Sequence, residues 1–190
     1  RRDEWLKLAY EQTPEAANAV LLTQAEFQLD REQYEQALAT LRRIEENSKD
    51  HSHALALLAR LYFKLGDWAS LAQVLPRLEK LGRVKQETLD EWAIRVRIEN
   101  FANAADGDAV AAEWKAVPRR LKGEIAVLEA YYNALLRVGL HEQAEKELAS
   151  ALKAEWRAPL VRLYGRVEGP DTTKQLKRAE TWLAKRGEDA

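Results

Sequence analysis

Residues 55–75 read LALLARLYFKLGDWASLAQVL, and this stretch decides the fold. Apolar residues recur at three- and four-residue spacing on both sides of Gly66-Asp67-Trp68, the period of amphipathic helices and not of strands. A glycine can take a positive φ after a helix without Cβ strain, so the triplet reads as a tight turn between two helices. Displaced by 34 residues, the stretch falls on 21–41, LLTQAEFQLDREQYEQALATL. Leu21 then meets Leu55, Ala25 meets Ala59 and Leu29 meets Phe63; beyond the turn, Tyr34 meets Trp68, Ala37 meets Leu71 and Leu41 meets Leu75. Large residues fall on large ones, and alanine is kept where two helices must approach closely. The first copy lacks the glycine, reading Glu32-Gln33-Tyr34, so only the aromatic of the turn survives there. A third copy comprises Leu128, Tyr132, Leu135, Gly139, His141, Ala144, Leu148 and Ala151.

This pattern of a small residue in the first helix, a Gly-Asp-aromatic turn and an alanine-rich second helix resembles the tetratricopeptide family. The resemblance implies an all-α fold, a right-handed α-solenoid of about 10–11 helices arranged as hairpins. The expected layout is a single domain over 1–190. It begins with the second helix of a truncated repeat at 1–14, with Trp5 and Leu6 apolar. Repeats follow at 15–48 and 49–82, then an irregular hairpin at 83–119, a repeat at 120–155 and a short hairpin at 156–190. In the irregular hairpin a long helix from Gln86 to Ala104 is followed by the turn Ala105-Asp106-Gly107-Asp108, a shorter helix over Ala109 to Val117, and Pro118. The last hairpin pairs a short helix at Pro159 to Val167 with one capped by Gly169-Pro170-Asp171-Thr172, whose apolar face is Leu176, Ala179, Trp182 and Leu183. Pro76 lies inside the second helix of the second repeat, where the missing backbone donor predicts a kink between Ala72 and Pro76. The closing Arg186-Gly187-Glu188-Asp189 resembles a turn leading into a further repeat.

Composition narrows the function. Apolar residues make up 46% of the chain and charged residues 32%, a balance that suits a folded helical protein. Thirty Lys and Arg stand against 31 Asp and Glu, so no basic excess exists to neutralise phosphates and nucleic acid is not the expected partner. The absence of Cys removes disulfides, thiolate metal sites and cysteine nucleophiles. No apolar run reaches the roughly 18 residues that mark a membrane span. The chain opens on Arg1-Arg2-Asp3 with no Met, which reads as a piece of a longer protein, with room for an anchor or a signal upstream.

A closer resemblance rests on several motifs together. Gly66-Asp67-Trp68 is followed by Leu71, Leu75-Pro76 and Leu78, then by Leu89-Asp90-Glu91-Trp92 and by Trp114 ahead of Pro118. Leu160-Val161-Arg162-Leu163-Tyr164-Gly165 is followed by Gln175-Leu176, Ala179-Glu180 and Trp182-Leu183. From about Arg31 onward this is similar to the HemY family of bacterial inner-membrane proteins associated with haem biosynthesis. The resemblance implies an anchor in the bacterial inner membrane through segments outside this chain, with this domain on the cytoplasmic side. It implies a scaffold role that organises haem-pathway proteins, ferrochelatase among them, and it brings no catalytic motif. A scaffold of another bacterial envelope assembly, built from the same repeats, is the first alternative. A haem or porphyrin carrier is the second.

Catalysis finds no support in the residues. No G-x-S-x-G elbow, phosphate-cradling glycine loop or H-E-x-x-H motif occurs, and none of Ser48, Ser52, Ser70 and Ser150 sits in a glycine turn. His51-x-His53 could offer ligands to haem or a metal, but residues two apart on a helix diverge, and both lie where a helix begins. His141 holds the aromatic turn position, where packing is the simpler role. Accordingly no cofactor is expected, haem being the one kept open. The six tryptophans fall on apolar helix faces, so packing accounts for them. The expected partner-binding surface is the concave face formed by the first helix of each hairpin. It takes Glu26 and Asp30 with Leu22 and Leu29 from the first repeat, and Arg60, Phe63 and Lys64 from the second. Arg95 and Glu99 come from the long middle helix, and Asn133 and Arg137 with Leu136 from the later repeat. Arginine and phenylalanine together can grip a peptide by charge-assisted hydrogen bonds and apolar contact; a solvated face is the alternative for each position. The Lys/Asn pattern of carboxylate-clamp tetratricopeptides is absent.

Overall fold

The computed structural model describes residues 14–186, and every regular element among them is helical. The elements are α1 (Pro14–Asp30), α2 (Tyr34–Asn47), α3 (Ser52–Leu65), α4 (Trp68–Leu81), α5 (Gln86–Asn103), α6 (Gly107–Ala116), a 3-10 turn (Arg119–Leu121), α7 (Ile125–Arg137), α8 (His141–Ala154), α9 (Ala158–Tyr164) and α10 (Thr172–Arg186). This is the all-α, repeating-hairpin architecture of the tetratricopeptide-type α-solenoid class. The truncated helix expected at 1–14, with Trp5 and Leu6, falls outside the described residues apart from Pro14, which opens α1. So does the closing turn after Arg186. The chain divides into two compact units, one ending at Val96 and one beginning at Arg97; α5 contributes to each.

The hairpins of the first unit close by one backbone device. After α3, Gly66 takes φ 70°, the Gly66 N–H donates to the Phe63 carbonyl, and the Asp67 N–H reaches back five residues to the Tyr62 carbonyl at 2.9 Å. After α1 the same pattern recurs without a glycine. Glu32 sits at φ 59°, its N–H donates to Leu29, and the Gln33 N–H reaches the Gln28 carbonyl at 2.8 Å. Such a left-handed stop satisfies carbonyls at the end of the first helix and turns the chain into the second. Asp67 then caps α4, its Oδ1 accepting from the Ser70 N–H at 3.0 Å.

Between the paired helices the matched positions are buried. Ala25, Ala59, Ala37 and Leu71 are fully inaccessible, and Leu21 and Leu55 nearly so. Alanine at 25 and 59 lets the helices of a hairpin approach, while Leu41, Ile44, Leu58, Leu78 and Val96 complete one continuous core. Leu75 is only partly buried where its counterpart Leu41 is fully so. Thr40 on α2 donates to Gln28 Oε1 on α1 at 2.9 Å, which satisfies two otherwise costly buried polar groups. Arg77 of α4 donates to the Glu45 carboxylate and the Lys49 carbonyl, tying α4 to α2 and the loop after it. Pro76 is accommodated within α4, which continues unbroken to Leu81.

In the second unit the core is aromatic. Trp114 stacks on Tyr131 with ring centroids 4.2 Å apart, Phe101 packs against both, and Tyr132 adjoins Tyr131. The Tyr131 hydroxyl donates to Glu147 Oε2 at 2.9 Å. Burial pushes the Tyr132 phenol up to about 12, and burial followed by Glu147 raises Tyr131 as well. The turn after α7 repeats the closure of the first unit: Gly139 takes φ 80° and the Leu140 N–H donates to the Leu135 carbonyl at 2.9 Å. The last helix docks differently from the expected apolar face. Leu176 is 60% exposed and Ala179 is exposed. Trp182 packs inward as expected, and Gln175 and Arg178 join it there. Gln175 donates to the Tyr164 and Val167 carbonyls, Arg178 to Glu145 at 2.9 Å, and Trp182 packs edge-on to Trp156 and Tyr164. Three polar-to-carbonyl and charge-assisted bonds set the rotation of α10, and hydrophobic spacing alone does not reveal them.

The closure at Glu32 gives a direct test. A left-handed residue with a Cβ costs about 1–2 kcal/mol, against a smaller entropic cost for glycine. Glu32→Gly is expected to raise stability by about 1 kcal/mol, and Gly66→Ala to lower it by about as much. Urea unfolding followed by far-UV circular dichroism measures both.

Candidate functional site

Two surface grooves, one in each unit, are the candidate partner sites. The first lies along α3, whose residues His53, Ala56, Leu57 and Arg60 share one helix face at three- and four-residue spacing. Arg83, Val84 and Lys85, in the loop after α4, and Thr88, at the start of α5, form its other side. The groove encloses about 690 Å³. Arg60, Arg83 and Lys85 are exposed, while Ala56, Leu57 and Val84 are half-buried and make an apolar floor. The loop turns there because Gly82 ends α4 at φ 60°.

The residues expected on this face divide by what they touch. Glu26 of α1 accepts a hydrogen bond from His53 Nε2 at 2.9 Å, which joins the first repeat to the rim of the groove. His51 caps α3, its Nδ1 accepting from the Ala54 N–H at 3.3 Å, so neighbouring His51 and His53 serve different partners. Asp30 is exposed at the end of α1, and Arg60 lines the groove. Phe63 packs edge-to-face on Trp68, with centroids 5.7 Å apart, and joins the core cluster together with Leu22 and Leu29. Lys64 lies 4.6 Å from the centre of the Tyr34 ring and 3.8 Å from Glu32, and a hydrogen bond with Tyr34 raises its pKa. Arg95 lies over Trp68 at 5.1 Å. Trp92 is buried in the core.

The second groove, about 670 Å³, is lined by Ile98, Phe101 and Ala102 of α5 and by Ala130, Asn133 and Arg137 of α7, with His141 and Arg166 at its rim. Its cations are engaged. Arg137 donates to the carbonyls of Phe101 and Ala104 at 2.9 and 2.7 Å, capping the end of α5, and Arg166 donates to Asn133 Oδ1 at 2.8 Å. Leu136 is buried, and Glu99 is partly buried on α5. His141 Nδ1 accepts from the Glu168 N–H at 3.0 Å. In the neutral ring that bond places the proton on Nε2, which leaves no free ring lone pair for a haem iron or a metal.

Reasoning from the repeat placed Glu26, Arg60, Asn133 and Arg137 on these surfaces but missed His53 as a rim residue, and missed Arg83, Lys85 and Arg166. The last three lie in connecting segments, outside the helical period that was projected. The signal available was local: Arg83-Val84-Lys85 follows the helix-ending Gly82 and precedes the first helix of the next hairpin.

Together these features define a helical-repeat protein of the tetratricopeptide type, a fold suited to binding other proteins. Among the described residues no group of His, Cys, Asp and Glu is arranged to hold a metal ion, and no helix is long and apolar enough to cross a membrane. Residues 5–72 match the family described as Tetratricopeptide repeat protein 21 ARM repeat, a match to less than half of the chain. Over 159 residues the chain is 23% identical to Protein HemY of Escherichia coli strain K12, and equally to Protein HemY of Escherichia coli O157:H7 and of Shigella flexneri. Each alignment covers 82% of this chain and 40% of the relative, so the chain spans well under half the length of these proteins. Among solved structures none matches.

The contrast between engaged and unengaged arginines is measurable. Arg137→Ala removes two charge-assisted bonds to helix-end carbonyls and is expected to cost about 1–3 kcal/mol. Arg60→Ala removes no bond and is expected to change stability by less than about 0.5 kcal/mol. Chemical denaturation of both variants checks the difference.

Proposed function

We propose that this chain is a protein-interaction scaffold, the repeat domain of a HemY-like bacterial inner-membrane protein, held on the cytoplasmic side by segments outside the chain. In this reading it gathers haem-pathway enzymes, ferrochelatase among them, by presenting its grooves to them. The observation that carries the reading is the first groove, where an exposed row of cations borders an apolar floor that core packing leaves open. The similarity to Protein HemY over most of the chain supports the cellular setting. A scaffold needs repeated surfaces, and the repeating hairpins support this reading by setting exposed helix faces side by side.

The haem-carrier alternative has less support, because both groove histidines already serve the fold: His53 Nε2 bonds to Glu26, and His141 Nδ1 accepts from the Glu168 N–H. Two measurements test the proposal together. Immobilised chain is expected to retain purified ferrochelatase reversibly, and haemin added to the chain is expected to keep the absorbance spectrum of free haemin. Failure to retain ferrochelatase would count against the haem-pathway role; a shifted Soret band lost in His141→Ala would favour the carrier.

A further inference from the structure

Within the scaffold reading, on which this inference rests, we propose that the groove between α3 and the α4–α5 loop is a binding site for an acidic, extended segment of a partner protein. The partner segment would carry carboxylates on either side of an apolar side chain.

Charge is the first observation. The chain as a whole has a net charge of −1, yet the groove is lined by Arg60, Arg83 and Lys85 and by no Asp or Glu. The acid at its rim, Glu26, is bonded to His53. Glu87, two residues after Lys85, is outside the lining. Like charges brought around one concavity repel each other and raise the local potential, an arrangement that favours an anionic occupant.

The second observation is that these cations are unengaged. Several arginines elsewhere are bonded: Arg77 to Glu45, Arg97 to Glu113, Arg157 to Glu155, Arg178 to Glu145, and Arg137 to helix-end carbonyls. Among the described residues, no side-chain hydrogen bond or ion pair engages Arg60, Arg83 or Lys85. Two guanidinium forks are therefore available for bidentate carboxylate contacts, and the lysine for a third.

The third is the floor. Leu57, Ala56 and Val84 are half-buried, and the enclosed space of about 690 Å³ lies within the range that buries a compact ligand or a few residues of peptide. A flat lipid surface or a nucleic-acid backbone would meet the cations but leave this concave apolar floor unfilled. A segment alternating acid and apolar side chains meets both. Loop residues 83–85 supply two of the three cations, so the site belongs to the junction between consecutive hairpins.

The probes are a fluorescent peptide of glutamates around a single leucine, its lysine counterpart, and vesicles of phosphatidylglycerol with phosphatidylcholine. By fluorescence anisotropy the full chain is expected to bind the acidic peptide and not the lysine peptide, with affinity falling as salt rises. Arg60→Glu with Arg83→Glu should weaken that binding by roughly tenfold or more. The same pair changed to Gln should give an intermediate loss, and Arg166→Glu, in the other groove, none. Unchanged circular dichroism and melting temperature show that the variants remain folded. Equal binding of both peptides, or binding insensitive to the double reversal, overturns the assignment. So does vesicle binding that depends on Arg60 and Arg83 while the acidic peptide fails to bind. If the double reversal retains ferrochelatase and peptide alike, the groove assignment fails and the scaffold reading stands. If wild-type chain binds the peptide through these residues but retains no ferrochelatase, the groove assignment stands and the haem-pathway role fails.

Discussion

The backbone hydrogen bond that reaches back five residues at the end of α1, α3 and α7 is the constraint on which these three hairpins depend. It forms from Gln33 to Gln28, from Asp67 to Tyr62 and from Leu140 to Leu135. In each case the preceding residue must be left-handed, as Glu32, Gly66 and Gly139 are. Once the chain is turned this way, the second helix returns along the first, and Ala25 or Ala59 is buried between them. The recurrence of one closure explains why a glycine can be lost at position 32 without losing the hairpin. Packing of Leu21, Ala25, Ala37 and Leu41 holds the backbone in a conformation that glutamate disfavours.

What the packing consumes also determines what it leaves. In α3 the buried positions include Leu55, Leu58, Ala59 and Tyr62. His53, Ala56, Leu57 and Arg60 fall on another face of the same helix and line a groove. In the second unit the comparable face is more fully used, since Arg137 caps α5 and Arg166 bonds to Asn133. Two grooves of similar size therefore differ in character: one offers unengaged cations, the other an apolar wall framed by cations that already serve the fold.

The repeat made the helices and most of the core legible in the sequence. Leu21 and Leu55, Ala25 and Ala59, and Ala37 and Leu71 are buried as their 34-residue register implies. The end of the long middle helix was readable from Ala105-Asp106-Gly107, where Asp106 caps α6 by accepting from the Ala109 N–H. Less legible were features fixed by single polar bonds. Hydrophobic spacing assigned Leu176 and Ala179 to the inner face of α10, whereas Gln175 and Arg178 dock it. The repeat assigns Arg137 to the partner-binding face, yet nothing in the period reveals that carbonyls at the end of a helix more than thirty residues earlier will claim it. The repeat likewise assigns Phe63 to that face, but its ring packs on Trp68 and against the core. Periodicity reports which side of a helix a residue occupies; what that residue bonds to is settled by tertiary neighbours.

The central claim is that the groove faces, and not the remaining helix surfaces, engage another protein. Site-specific photocrosslinking tests it most directly, with a photoreactive amino acid placed in bacterial cells at Ala56 or Ala102 in the grooves and at Lys80 or Lys153 outside them. The account predicts discrete protein adducts from Ala56 and Ala102 that are absent from Lys80 and Lys153. Adducts of equal yield from all four positions, or from Lys80 and Lys153 alone, would contradict it.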